Sequence, residues 1–200
     1  NRRDCMIGIV IWALAATLYG LFWLWYVGLG RPVTEEETER YIDVLSQGDV
    51  EQSSLDNFRQ FFQRDDGKEF FIVNALVLKE PKKQAMEHLI QYQQVFMSRI
   101  LKRAGHPQII TVARATSIEG LDDGGTNDWQ TLALVRYRSR RDFGEIMSDT
   151  FGSDHHEHKL AALEKTFAIP AVAQVNASSV RVLVALGVAL GAAVLQLVLI

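Results

Sequence analysis

The densest group of side chains able to carry a proton or hold a metal in this 200-residue sequence is Asp154-His155-His156-Glu157-His158. Imidazoles titrate near neutral pH and bind transition metals through either ring nitrogen, and flanking carboxylates add negative charge. On a helix, His155 and His158 share a side while His156 points elsewhere. The spacing lacks the His-Glu-x-x-His arrangement and no cysteine set accompanies it, so no metal site is assigned and no cofactor is expected. His158 is the best ligand candidate of the group, because it lies beside the apolar stripe of Leu160 and Leu163. It could line a ligand pocket together with Tyr92 and Asn74. Asn74 interrupts an otherwise apolar strand, and a buried amide needs hydrogen-bond partners from protein, water or ligand.

Arg136, Arg138, Arg140 and Arg141 form a basic patch. Strand alternation sends Arg136 and Arg138 to one side, where they could meet an acidic partner or anionic ligand, or simply stay solvated. Gly124-Gly125 lacks the glycine and lysine pattern of a phosphate loop, and no Ser-His-Asp order can be defended. A formal net charge of −3 gives no case for nucleic-acid binding. Between Thr34 and Asp66 stand ten acidic and three basic residues, a solvated face or a surface for a basic partner.

Two segments dominate the organisation. Cys5 to Gly30 runs 26 residues without a formal charge, and Val182 to Ile200 runs 19. A helix needs about 20 apolar residues to cross a bilayer, so residues 5–30 and 180–200 are expected to be transmembrane helices. The first is longer than a signal-peptide core and ends in Trp23, Trp25 and Tyr26, which suit a membrane interface. Arg2 and Arg3 before it favour cytoplasmic termini and a non-cytoplasmic domain. Gly187 and Gly191 make a small-xxx-small pair that permits close approach of another membrane helix. Integral membrane proteins and lipid are therefore the expected partners. The lone Cys5 offers no disulfide framework.

Residues 31–67 read as an acidic helical neck, with Thr34 and Glu37 at capping-box spacing and Tyr41, Ile42 and Leu45 as an apolar stripe. Residues 68–176 read as an α+β domain. Phe70–Leu78 predicts a strand buried on both faces, and Ala85 to Ile100 predicts a helix ended by Gly105. Further strands are expected over Gln108–Ser117, Trp129–Tyr137 and Ile169–Val175, with Leu160, Leu163 and Phe167 on a second helix. The order is β-α-β-β-α-β, the ferredoxin-like arrangement. Such a sheet has one face open, so either Phe71, Val73 and Ala75 or the alternate set Phe70, Ile72 and Leu76 should meet a second folded domain, most simply another copy.

The segment Trp129-Gln130-Thr131-Leu132-Ala133-Leu134-Val135-Arg136-Tyr137, the following Ser139-Arg140-Arg141-Asp142-Phe143, and the stretch His158-Lys159-Leu160-Ala161-Ala162-Leu163 carry a resemblance. Over about Phe70 to Val175 the chain resembles the dimeric α+β barrel superfamily, which includes antibiotic-biosynthesis-monooxygenase-like domains. The resemblance implies a homodimer of opposed sheets with a cavity between each sheet and its helices. Its members include enzymes without metal or organic cofactor, heme-binding proteins and proteins of no known activity. With two anchors and no compact catalytic set, the leading expectation is a non-catalytic accessory or assembly subunit of a membrane complex. The alternative is a membrane-tethered small-molecule enzyme or sensor.

Overall fold

The computed structural model describes residues 2–48, 50–115, 128–151, 154–176 and 178–200. In chain order the elements are α1 (Arg2–Val27), α2 (Glu35–Ser46), α3 (Gln52–Gln63), β1 (Phe70–Leu78), α4 (Lys82–Lys102), β2 (His106–Val112), β3 (Thr131–Tyr137), α5 (Arg140–Thr150), α6 (Asp154–Ala162), β4 (Leu163–Ala171) and α7 (Val180–Leu199). They fall into two compact units, Gly30–Val172 and the paired ends Asn1–Leu29 with Ala173–Ile200.

β1 is the centre of the larger unit. Its run of aromatic and β-branched residues pairs antiparallel with β3 on one side and β4 on the other, and β2 pairs outside β3. The order β2-β3-β1-β4 is that of a ferredoxin-like α+β sheet. The sheet is open: β2 and β4 are edges with one partner each, so this chain does not close the barrel that the family resemblance implies.

Alternation along β1 settles which side faces the helices. Phe70 and Ile72 enter one apolar cluster with Tyr41, Phe62, Ile100, Val135, Tyr137, Phe143 and Ile146. Leu78 enters a second with Ala85, Leu89 and Ala162, and Leu76 packs against it. Phe71, Val73 and Ala75 lie on the other face, opposite Arg136, Leu134 and Leu132 of β3. There Leu132, Ile109 and Ile169 are about half exposed.

The fourth strand starts at Leu163, earlier than the expected Ile169. Leu160, Leu163 and Phe167 fit a helix, but Leu163, Lys165, Phe167 and Ile169 also alternate with period two, and the free edge of β1 takes them. Pro170 sits on this edge strand, where a missing N–H costs no ladder bond. β2 ends at Val112; the remainder of its expected span runs toward residues 116–127, outside the described residues, as does the Asp122-Asp123-Gly124-Gly125 loop.

α2 and α3 pack into the same unit as the sheet. Thr34 and Glu37 form the expected capping box, and Tyr41, Ile42 and Leu45 are buried. Phe61 and Phe62 meet Phe143 at ring-centroid distances of 5.8 and 6.4 Å, and Phe61 meets Phe70 at 5.1 Å. The smaller unit pairs α1 with α7, both long and apolar enough to cross a membrane. Between them Trp12 Nε1 donates to Gln196 Oε1 at 2.7 Å, giving the one amide of the α7 run a partner. A Cβ at Gly187 or Gly191 would meet nothing within 4 Å, so α1 packs elsewhere on α7.

Gly144 on α5 lets the ring of Tyr41 approach; a Cβ there would stand 2.4 to 2.7 Å from three ring carbons. Gly144→Ala should therefore destabilise the larger unit by about 1–3 kcal/mol, although alanine favours a helix by about 1 kcal/mol. Thermal melting of the full chain in detergent, with Gly191→Ala as the silent control, measures this. A neutral or stabilising Gly144→Ala would mean that α2 does not seat on α5 as described.

Candidate functional site

Across β3, β1 and β4 the register aligns Ala133, Asn74 and Ala168 in one row. Directly opposed residues share a face, with Cβ atoms about 5 Å apart, and this row faces the helices, as Ile72 and Leu76 do on either side of Asn74. The row falls between the two apolar clusters and holds the single polar side chain on the helix side of β1, flanked by two methyl groups. Ala133 packs against the first cluster. On β4, Thr166, Ala168 and Pro170 continue this side and are exposed. Asn74 Nδ2 donates to the Ile72 carbonyl at 3.2 Å, within its own strand, and among the described residues its side chain has no other hydrogen bond.

Two phenols stand on the same side of the sheet. Tyr92 of α4 packs against the second cluster and stacks on Phe96 at 5.6 Å. Burial pushes its pKa up to about 12. Tyr137 of β3 lies buried in the first cluster, stacked on Phe70 at 5.3 Å. Its phenol is pushed up by burial and, secondarily, by the Tyr92 phenol. Among the described residues no group hydrogen-bonds to either hydroxyl. Both remain protonated donors at neutral pH.

His158 is held in a different contact. Its Nδ1 stands 3.0 Å from Nδ1 of His88, joining α6 to α4. His88 escaped the sequence reading. The signal available was its place one turn before Tyr92 and three residues after the buried Ala85. The His156 ring lies 4.2 Å from that of Phe151, and burial, then Lys159, hold its pKa below the usual imidazole value. The side chains of Asp154 and His155 lie outside the described residues. Among the described residues no three His, Cys, Asp or Glu side chains converge as a metal set.

The basic patch is met by carboxylates of its own chain. Arg136 is 2% exposed, pairs with Glu69 at 2.7 Å and donates to the Ala104 carbonyl at 2.6 Å. Arg138 grips Asp142 through two bonds of 2.7 Å. Arg140 pairs with Asp65 at 3.6 Å and lies over the Phe61 ring, and Arg141 pairs with Glu37. Two cavities are described, an open one of about 440 Å³ between Lys82 and Trp129, and one of about 130 Å³ lined by Phe61, Phe70, Arg140, Pro170, Ala171 and Val172. The smaller reaches the end of the exposed β4 row; neither is lined by Asn74, Tyr92 or His158.

No family model matches the chain, and no curated protein matches it. Among solved structures, a protein of unknown function from Rhodopseudomonas palustris is 18% identical over 64% of this chain and 97% of its own, with a TM-score of 0.53. SnoaB, a cofactor-independent oxygenase from Streptomyces nogalater, is 10% identical over 56% of this chain and 99% of its own, TM-score 0.39. A putative antibiotic biosynthesis monooxygenase from Bacteriodes thetaiotaomicron is 8% identical over 56% and 95%, TM-score 0.37. Likeness at these identities concerns the fold alone. The expectation that the chain is more a non-enzyme than an enzyme, and the accessory-subunit reading built on it, is corrected here, because it rested on a missing feature alone. The missing compact catalytic set was no ground for excluding catalysis.

The phenols fix a pH response. Tyr41 is also pushed up to about 12, first by burial and then by Glu145, whose carboxylate accepts its hydroxyl at 2.8 Å. A group whose folded pKa exceeds its unfolded value contributes stability that is full below the unfolded value and lost as pH rises through the folded one. Stability should thus hold to about pH 9 and fall as pH approaches 12. Absorbance at the phenolate band, followed with melting temperature, measures it. Three phenols ionising at ordinary tyrosine pH in the folded protein would contradict the burial described.

Proposed function

We propose that the chain is a membrane-tethered enzyme or sensor for a small, largely apolar molecule, bound on the helix side of the sheet around Asn74. The observation that carries this reading is the Ala133–Asn74–Ala168 row. An amide with one local hydrogen bond stands between two methyl groups, at the level where the apolar packing divides. Small-molecule sites commonly combine apolar walls with a few convergent polar groups that fix orientation. Here the amide can donate and accept, and the phenols of Tyr92 and Tyr137 supply donors that stay protonated at neutral pH. Donors of this kind orient a carbonyl or hydroxyl and stabilise negative charge developing on oxygen. α1 and α7 serve as membrane spans on this reading, with both termini in the cytoplasm and the larger unit outside it. A bilayer tether keeps the domain beside a reservoir of apolar molecules.

Purification of the full chain in nanodiscs of native lipid, followed by mass spectrometry of extracted small molecules, tests the binding. The wild type should retain a molecule that Asn74→Leu and Ala168→Trp both lose. Asn74→Leu should at the same time melt higher, since an incompletely paired amide costs about 1–3 kcal/mol. An identical complement of molecules in all three proteins would count against the site. A lower melting temperature for Asn74→Leu would show that the amide is structural.

The topology has its own measurement. Glu36, exposed at the start of α2, becomes Cys in a Cys5→Ser background, and intact bacterial spheroplasts are treated with a membrane-impermeant maleimide. Labelling without lysis is expected. Labelling only after lysis would reverse the orientation.

A further inference from the structure

α6 is the short helix that leads directly into β4. Of its nine residues only Ala162 is buried among the described side chains, and Leu160 is 54% exposed. Its end is tied by Lys79, whose backbone N–H donates to the Ala162 carbonyl at 3.0 Å and whose Nζ donates to the Leu160 carbonyl at 2.9 Å. Against α4 it packs Ala162, beside Ala85 and Leu89. Among the described residues, the polar side-chain contact that joins the two helices is that of His88 with His158.

That contact has an uncommon geometry for two basic side chains. Both rings present the same nitrogen, Nδ1 to Nδ1 at 3.0 Å, with ring centroids 5.3 Å apart and planes inclined by 32°. Two imidazole nitrogens bound to one ion at about 2.0–2.1 Å each stand roughly 3.0–3.4 Å apart. A divalent transition ion between them would replace the single proton that the pair can share. We propose that His88 and His158 form a two-imidazole site for a divalent transition ion, and that the ion clips α6 onto α4. Neutral imidazole selects zinc, copper or nickel over magnesium and calcium, which favour oxygen ligands. Both residues are half-buried, and no third His, Cys, Asp or Glu closes the set among the described residues, so the other coordination positions fall to water or a bound molecule. Such an ion favours the folded chain, because the two histidines are 70 residues apart in sequence and meet only when α4 and α6 pack.

Zinc added to the tag-free full-length protein in nanodiscs tests the site by thermal melting, with magnesium as the control ion. Saturating Zn²⁺ should raise the melting temperature by about 5 °C, and Mg²⁺ should not. The shift should vanish in His88→Gln and in His158→Gln and survive in His156→Ala. In parallel, electron paramagnetic resonance of the wild type with one equivalent of Cu²⁺ should show coupling to two imidazole nitrogens. This second readout decides the matter if a glutamine variant fails to fold. Absence of any Zn²⁺ shift would mean that the pair is a direct imidazole hydrogen bond, and the proposal fails. It fails equally if the shift persists in both glutamine variants, disappears in His156→Ala, or if copper couples to fewer than two imidazoles.

Discussion

β1 is hydrogen-bonded on both edges and apolar on both faces, and most of the larger unit follows from that. A strand with two ladder partners cannot slip by one residue without turning every side chain to the opposite face. Phe70 and Ile72 would then lose the aromatic cluster they share with Phe61, Phe143 and Tyr137, and each buried aromatic or aliphatic side chain is worth about 1.5–3 kcal/mol. The register this enforces puts Asn74 on the helix side, level with Ala133 and Ala168. The candidate site is thus a by-product of strand pairing whose side chains happen to be small and polar where the core would otherwise continue.

The same constraint explains why the acidic segment is folded rather than trailing. Phe61, Phe62 and Tyr41 complete the aromatic cluster over Phe70, and the charges around them are neutralised within the chain. Arg140 pairs with Asp65, Arg141 with Glu37 and Arg40 with Glu145. Exposed pairs such as Arg40–Glu145 contribute little each. Asp65 is different: its side chain is 1% exposed, and its carboxylate also accepts the Val33 N–H at 2.8 Å. Half of the basic patch, Arg140 and Arg141, meets the acidic run in the fold, although the two are separate features in the sequence.

Local features were legible from the residues alone. The Thr34–Glu37 capping box, the Tyr41-Ile42-Leu45 stripe and the span of β1 each depend on residues within a few positions of one another. The start of β4 was not legible, because Leu163 and Phe167 fit a helical period with Leu160 and a strand period with Lys165 and Ile169, and only the vacant edge of β1 decides between them. The inward face of β1 was equally undetermined, since apolar residues occupy both alternations. The partners of Arg140 and Arg141 lie 75 and 104 positions away, at Asp65 and Glu37, and no spacing rule reaches that far. His88 went unnoticed for the same reason: one imidazole on a helix carries no message until another helix brings a second one to it.

At the centre of the account is the claim that the level of Asn74 is a place for a molecule rather than a lapse in packing. A high-resolution experimental structure of the full chain, purified in its native lipids, tests that most directly. The account predicts density over Ala133, Asn74 and Ala168 that no side chain explains, within hydrogen-bond distance of the Asn74 amide. Side chains of α4 closed down on the row, with the amide bonded only to Ile72 and no room left above the two alanines, would contradict it.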